Sequence, residues 1–131
     1  MGMRRMGAGE ALQAAAATML KAVPGIGAVY EGAPRRAAFP HAVVDGGVET
    51  DWGHKSGAGR EVRFAFVLRD GGERAARLRE LASEAAAGLE GLGRELPDWI
   101  IVSLGLLRSR IVPDGTGWTA VIEYRARMLR R

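Results

Sequence analysis

The sequence predicts an α+β domain: a single antiparallel four-stranded sheet built from two hairpins, with an N-terminal helix and a long central helix packed on one face. Three observations lead to this fold class. Apolar residues recur at helical spacing in two segments, they alternate with polar residues in several others, and the segments follow the order helix, two strands, helix, two strands. One sheet with both helices on the same face is the economical arrangement for that order.

Residues 9–22 are predicted to form the N-terminal helix. Leu12 and Met19 lie on the same helical face of an alanine-rich segment, and alanine is the best helix former. The Pro24-Gly25 pair that follows is typical of a helix end. A short strand is expected after it.

The first hairpin is predicted from strands at 41–49 and 60–69. In the second strand, polar residues alternate with an apolar set that points to one face: Val62, Phe64, Phe66 and Leu68. The Gly46-Gly47 pair inside the first strand indicates a bulge or bend. The connection at 51–59 is much longer than a two-residue turn, and we expect it to contact another molecule.

The long central helix is predicted at 73–92, and the second hairpin at 99–112 and 118–128 with a turn at 113–117. The apolar stripe of this helix repeats every three or four residues: Leu78, Leu81, Ala82, Ala85, Leu89 and Leu92. Gly105 interrupts the first strand of the second hairpin, which again indicates a bend.

Length and composition limit the classes of protein that fit. A chain of 131 residues is predicted to be a single domain spanning 1–131, with residues 1–8 disordered. The sequence contains no cysteine, which excludes disulfides and thiol nucleophiles. No segment has the roughly 18 uninterrupted apolar residues of a membrane span, and no signal peptide is recognisable. We therefore expect a cytoplasmic protein that does not bind membranes.

Catalysis finds little support in the sequence. Asp51, His54 and Ser56 contain the side chains of a nucleophilic triad, and Glu49, Asp51 and His54 could ligate a metal. These residues are neighbours on one loop, however, and nothing holds them in a fixed geometry. We predict that the chain is not an enzyme and that it has no catalytic residue, no cofactor and no metal site.

Partner-interface candidates lie in the long connection: Asp51, Trp52, His54 and Lys55. Tryptophan is enriched among the residues that dominate binding energy, so Trp52 is interpreted as an anchor for a partner. The alternative is that its ring folds back onto the edge of the sheet. The sequence leaves both interpretations open.

The net charge of the chain is +4, and most of its cations are scattered arginines. Arg63, Arg125 and Arg127 are expected to share the wet face of the sheet, which makes them candidates for a channel or an interface. The alternative is a solvated face on which Glu61 and Glu123 are their cross-strand partners.

Several short motifs occur in a characteristic order. They are VPG at 23–25, VYEGAP at 29–34, FPHAVV at 39–44, ETDW at 49–52, KSG at 55–57, RSR at 108–110 and WTAVIEYR at 118–125. In this order they resemble the small phage tail-completion (tail-terminator) family of long-tailed phages and gene transfer agents. His41 and Ala42 depart from the family pattern. The resemblance covers nearly the whole chain, and the order of the motifs is more specific than any one of them.

The resemblance implies a structural virion protein. Members are thought to form a ring, commonly a hexamer, that caps the tail tube at its head-proximal end. The implied partners are copies of the chain itself, the major tail tube protein, the head–tail connector protein, and DNA that passes through the channel without sequence specificity. The implied location is the cytoplasm during assembly and then the head-proximal end of the tail in the virion. The family assigns no catalytic residue to this sequence.

Two other functions stay open at this point. The chain could be a head–tail connector or stopper subunit, which would bind the portal side of the same joint. It could also be a small basic nucleic-acid-binding module, which would bind DNA as a monomer with strong salt dependence.

Overall fold

Seven strands form one mixed sheet in the computed structural model, which describes residues 4–53 and 57–131. The elements are α1 (Ala8–Lys21), β1 (Ala28–Glu31), β2 (His41–Val44), β3 (Val48–Asp51), β4 (Gly59–Gly71), α2 (Ala76–Glu90), β5 (Glu95–Leu96), β6 (Trp99–Asp114) and β7 (Gly117–Arg130).

The strand order across the sheet is β1-β2-β4-β7-β6-β5, and β3 pairs with the part of β4 that β2 leaves uncovered. The centre of the sheet is the long antiparallel pair of β4 and β7, which runs from Gly59 opposite Leu129 to Gly71 opposite Gly117. β1 and β2 are parallel, whereas every other pair is antiparallel.

The predicted fold class is therefore wrong. The chain is mostly β, and its curled sheet has seven strands of mixed direction in place of four antiparallel ones. Its two helices are short, with 14 residues in α1 and 15 in α2. The sheet has more strands because the first predicted strand divides into β2 and β3 and because the short segments β1 and β5 join its two edges.

Gly47 explains why the strand predicted at 41–49 divides. Its φ angle is +73°, a left-handed conformation that residues with a side chain rarely adopt. A Cβ atom at this position would lie 2.0 Å from the carbonyl oxygen of Arg63. The left-handed turn ends β2 and lets β3 begin again along the same neighbour, β4.

The pairing of β6 with β7 contains two register shifts, between Ile101 and Ser103 and between Leu106 and Arg108. Each shift places an extra residue in β6, which is the signature of a β-bulge and bends the strand. The side chains of β6 therefore do not follow a single alternation along its 16 residues.

Both helices pack on the same face of the sheet and form one core with it. The helices touch each other closely, since a Cβ atom on Gly88 of α2 would lie 2.7 Å from the sulfur of Met19 of α1. The largest fully buried side chains include Leu12, Leu20, Phe66, Leu78, Leu89, Trp99, Ile122 and Tyr124. The opposite face of the sheet, which we call the helix-free face, is not covered by α1 or α2.

The predicted disorder of residues 1–8 stays a prediction. Residues 1–3 lie outside the described part of the chain. Met6 makes two backbone contacts with the start of β6: its amide donates to Oδ2 of Asp98 at 2.9 Å, and its carbonyl accepts from Nε1 of Trp99 at 2.9 Å. Within the described residues, neither helix has the length and apolar character needed to cross a membrane.

Candidate functional site

The helix-free face brings together charged residues from the two central strands. In the pairing of β4 with β7, Glu61 lies opposite Arg127 and Arg63 lies opposite Arg125. Side chains of opposed residues point to the same face of a sheet, as do those of alternate residues along a strand. The four side chains therefore form one group, which we call the Glu61 cluster.

Glu61 is the centre of this cluster. Its carboxylate lies 3.2 Å from Nε of Arg127, 3.8 Å from Nε of Arg63 and 3.9 Å from Nε of Arg125. Only the contact with Arg127 is a hydrogen bond. The Glu61 side chain is 19 % exposed, whereas that of Arg63 is 60 % exposed. One carboxylate thus holds three guanidinium groups, and the cluster presents an excess of positive charge to solvent.

Trp52 lies beside the same cluster. The Cζ atom of Arg127 is 5.5 Å from the centroid of the Trp52 ring, a cation–π distance. The ring is half-buried. The backbone here is closely fitted, because the Trp52 amide donates to the carbonyl of Gly59 at 2.9 Å and a Cβ atom on Gly59 would lie 2.2 Å from the Trp52 carbonyl oxygen.

The other candidates from the connection are placed as follows. Asp51 is the exposed last residue of β3 and lies opposite Arg60. His54 and Lys55 lie outside the described residues, so their predicted role is not tested. The structure therefore places the three arginine candidates on one face, as the sequence predicts, and adds Trp52 beside Arg127, a contact that sequence reasoning did not find.

Glu123 does not join the cluster, although the sequence suggested it as a partner for these arginines. It accepts a hydrogen bond of 2.8 Å from Arg108 of β6. This bond raises the pKa of Arg108 above its ordinary value, mainly through the hydrogen bond itself and then through the charge of Glu123. The pair fixes the middle of β6 to β7 on the helix-free face.

A shallow depression of about 210 Å³ lies next to the Glu61 cluster. Its wall includes Asp45, Arg63, Leu107 and Glu123, so the depression is bounded by charges of both signs. Within residues 4–53 and 57–131, no three metal-ligating side chains are grouped closely enough to hold an ion. The helix-free face here presents three arginines around one carboxylate, with an aromatic ring beside Arg127.

Comparisons with known proteins identify relatives of the whole chain. The family model described as tail completion protein gp17 matches residues 10–129. A chain in the solved structure "Virion of native gene transfer agent (GTA) particle" is 25 % identical, with a TM-score of 0.65, over 91 % of this chain and 95 % of that one. The bacteriophage SPP1 gp17 protein has the same fold at 19 % identity and a TM-score of 0.56, over 91 % of this chain and 89 % of that one. No curated protein sequence matches the chain.

Proposed function

The chain belongs to the tail completion protein gp17 family, and from this premise we propose that it forms a ring of six copies that ends the tail tube and joins it to the head. Family membership makes it a structural tail-completion protein, a class that is not enzymatic. We propose three further features that family membership alone does not give: the number of copies, the passage of DNA and the individual partners.

The similarity to a chain of a gene transfer agent virion is the observation on which the location rests. That chain is matched over 95 % of its length, so the likeness concerns the whole subunit and not one module of it. We propose that the present chain is likewise a virion component, assembled in the cytoplasm onto the major tail tube protein and then bound by the head–tail connector protein.

The Glu61 cluster supports the proposal that DNA passes along the helix-free face. Arg63, Arg125 and Arg127 gather around the carboxylate of Glu61, and Arg127 also lies over the ring of Trp52. Their excess positive charge attracts phosphates without reading bases, because contacts to the DNA backbone do not depend on sequence. A channel wall needs this kind of surface, since every sequence of the packaged DNA must pass it.

The connection that contains Trp52 is the proposed contact with a neighbouring subunit or with the tube. Trp52 and Asp51 are at the same end of the sheet as the Glu61 cluster. A half-buried tryptophan still offers part of its ring to a partner, and such rings often dominate binding energy. His54 and Lys55 belong to the same proposal through their place in the sequence.

Deletion of the gene in the phage or gene transfer agent that encodes the chain tests the proposed function. We expect electron micrographs to show unattached heads and separate tubes of uneven length. Supplying the intact chain in trans should restore attached tails of normal length. Attached tails of normal length in the deletion strain, without supply in trans, would contradict the proposal.

A further inference from the structure

One edge of the sheet is open over most of its length. β5 covers β6 only at Trp99 and Ile100, and no other strand of the described chain pairs with the outer side of β6. Three large apolar side chains beyond that point are unusually exposed, Val102 at 51 %, Leu106 at 49 % and Leu107 at 45 %. A long apolar edge with unpaired backbone groups is a ready template for another strand.

The opposite edge of the same sheet is also open. It consists of β1 and β3, whose outer sides pair with no strand in the described residues. Among the described residues, Val48 of β3 is the most exposed large apolar side chain, at 64 %. The charged residues here are acidic: Glu31 ends β1, Asp45 follows β2, and Asp51 ends β3, and all three are exposed.

The charges of the two edges are opposite at the same height of the sheet. Arg108 of β6 and Asp45 are at the two ends of one row across the sheet. The row runs from Arg108 through Glu123 to Ala65, whose carbonyl accepts a hydrogen bond from the amide of Asp45. Arg110 is two residues farther along β6, on the same face as Arg108, and adds to the positive charge of this edge. Within residues 101–112, β6 contains arginines and no acidic residue.

The directions of the strands are also complementary. β6 is antiparallel to β7, and β7 to β4, so β6 and β4 run the same way. β3 is antiparallel to β4, and β1 follows β2, which is antiparallel to β4 as well. Both strands of the opposite edge therefore run against β6, and a second copy placed beside it in the same orientation would form an antiparallel ladder.

We propose that the β6 edge of one copy binds the β1/β3 edge of the next copy by adding its strand to the neighbouring sheet. This inference rests on the proposed function, because it names the joint between the subunits of the ring. Two different patches that bind each other head to tail generate a ring when the rotation closes, and strand addition uses backbone hydrogen bonds with side-chain pockets for specificity. If two β6 edges paired with each other, their arginines would find no acidic partner.

The joint also orients the sheet in the ring. When sheets are connected edge to edge, one face of every sheet lies on the same side of the wall. The helices cover one face, so the helix-free face with the Glu61 cluster forms one continuous surface of the wall, and the proposed passage of DNA makes it the inner one. The edge joint and the DNA channel are thus two consequences of one arrangement.

Crosslinking of introduced cysteines tests the joint without background, because the chain has no cysteine of its own. Thr50 of β3 and Ser103 of β6 lie at the two ends of one row, through Glu61 and Arg127. Particles made with the double variant Thr50→Cys, Ser103→Cys are treated with a short bis-maleimide and analysed on denaturing gels. The control pair is Thr18→Cys with Ser103→Cys, since Thr18 is an exposed residue of α1.

The double variant should give a ladder of multiples of the chain, whereas the control pair and each single variant should give monomers. Dimers from Ser103→Cys alone would show β6 paired with itself and would overturn the proposal. Complete tails that contain the double variant but give no ladder would also overturn it, while leaving the proposed function intact. Complete tails that lack the chain altogether would refute both.

Discussion

The guanidinium of Arg77 binds the carboxylate of Asp70 with two hydrogen bonds, from Nε to Oδ2 at 2.8 Å and from Nη2 to Oδ1 at 2.5 Å. Asp70 is near the end of β4 and its side chain is 2 % exposed, whereas Arg77 is in the first turn of α2. The pair therefore fixes the start of α2 to the centre of the sheet. The hydrogen bonds from Arg77 lower the pKa of Asp70, against the opposing effect of its burial.

This pair predicts a loss of stability in acid. A carboxyl group whose pKa is lower in the folded state stabilises the protein above its unfolded pKa, and that contribution disappears as the pH falls through the folded value. Asp70→Asn should lower the free energy of unfolding by about 1 to 2 kcal/mol at pH 7, and the difference from the parent should shrink below about pH 4. Urea titrations across this pH range measure it. Glu80→Gln, on the exposed side of α2, should change neither quantity.

Gly47 gives a prediction about the break between β2 and β3. Gly47→Ala adds a Cβ atom 2.0 Å from the Arg63 carbonyl oxygen, in a backbone with φ of +73°. Gly72→Ala is the matched control, because its φ is +99° and nothing lies within 4 Å of the added atom. Backbone strain alone should lower the unfolding free energy of the control by about 1 kcal/mol. The collision with the Arg63 carbonyl should lower that of Gly47→Ala clearly more. Equal unfolding free energies of the two variants would contradict this account of the break.

The sequence was informative wherever one periodicity held over a whole element. The apolar set of the strand predicted at 60–69 is buried in β4, and the stripe of the central helix is buried over Leu78–Leu89 in α2. The same reasoning fails for β6, because the bulge between Ile101 and Ser103 puts Ile101 and Leu104 on the core side although the simple alternation separates them. A bulge depends on the partner strand, which the local sequence does not specify.

The fold class failed for a related reason. The Gly46-Gly47 pair indicated a bend. The local sequence does not show, however, that β3 pairs with the same strand as β2, because this depends on β4. The parallel pair of β1 and β2 joins segments separated by a loop, and only long-range pairing creates it. The Glu61 cluster likewise requires the register of β4 against β7. The sequence named the arginines, Trp52 and Glu61 as a cross-strand partner, but it could not show that Glu61 alone gathers all three arginines while Glu123 pairs with Arg108.

Trp52 gives a prediction about assembly. Trp52→Ala removes the ring next to Arg127, and a surface cation–π contact is worth only about 0.5 to 1 kcal/mol. The variant should therefore still fold, while the number of completed tails should fall because the proposed partner contact is lost. Trp52→Phe keeps an aromatic ring, so the number of completed tails should fall less with this variant. Thermal unfolding and counts of completed tails in electron micrographs separate the two effects. Normal rings and tails from Trp52→Ala would remove the proposed contact.

Arg125 and Arg127 give a prediction about DNA passage. The double variant Arg125→Glu, Arg127→Glu would add two carboxylates beside that of Glu61. The electrostatic attraction for DNA on the helix-free face is then reversed. Particles with this pair should assemble but transfer DNA about tenfold less efficiently or worse. The neutral pair Arg125→Gln, Arg127→Gln avoids crowding of like charges and should give a smaller loss in the same direction.

The matched control for this effect reverses two arginines on the other side of the subunit. Arg74→Glu with Arg79→Glu changes the net charge by the same amount at exposed positions next to or within α2. If the arginines of the Glu61 cluster line the channel, this control should transfer DNA normally. Counts of DNA-filled particles and of recipient cells that receive a marker separate assembly from transfer. Equal transfer by the parent, the cluster variants and the control would show that DNA does not meet this face, whereas equal loss in the cluster variants and the control would point to net charge alone.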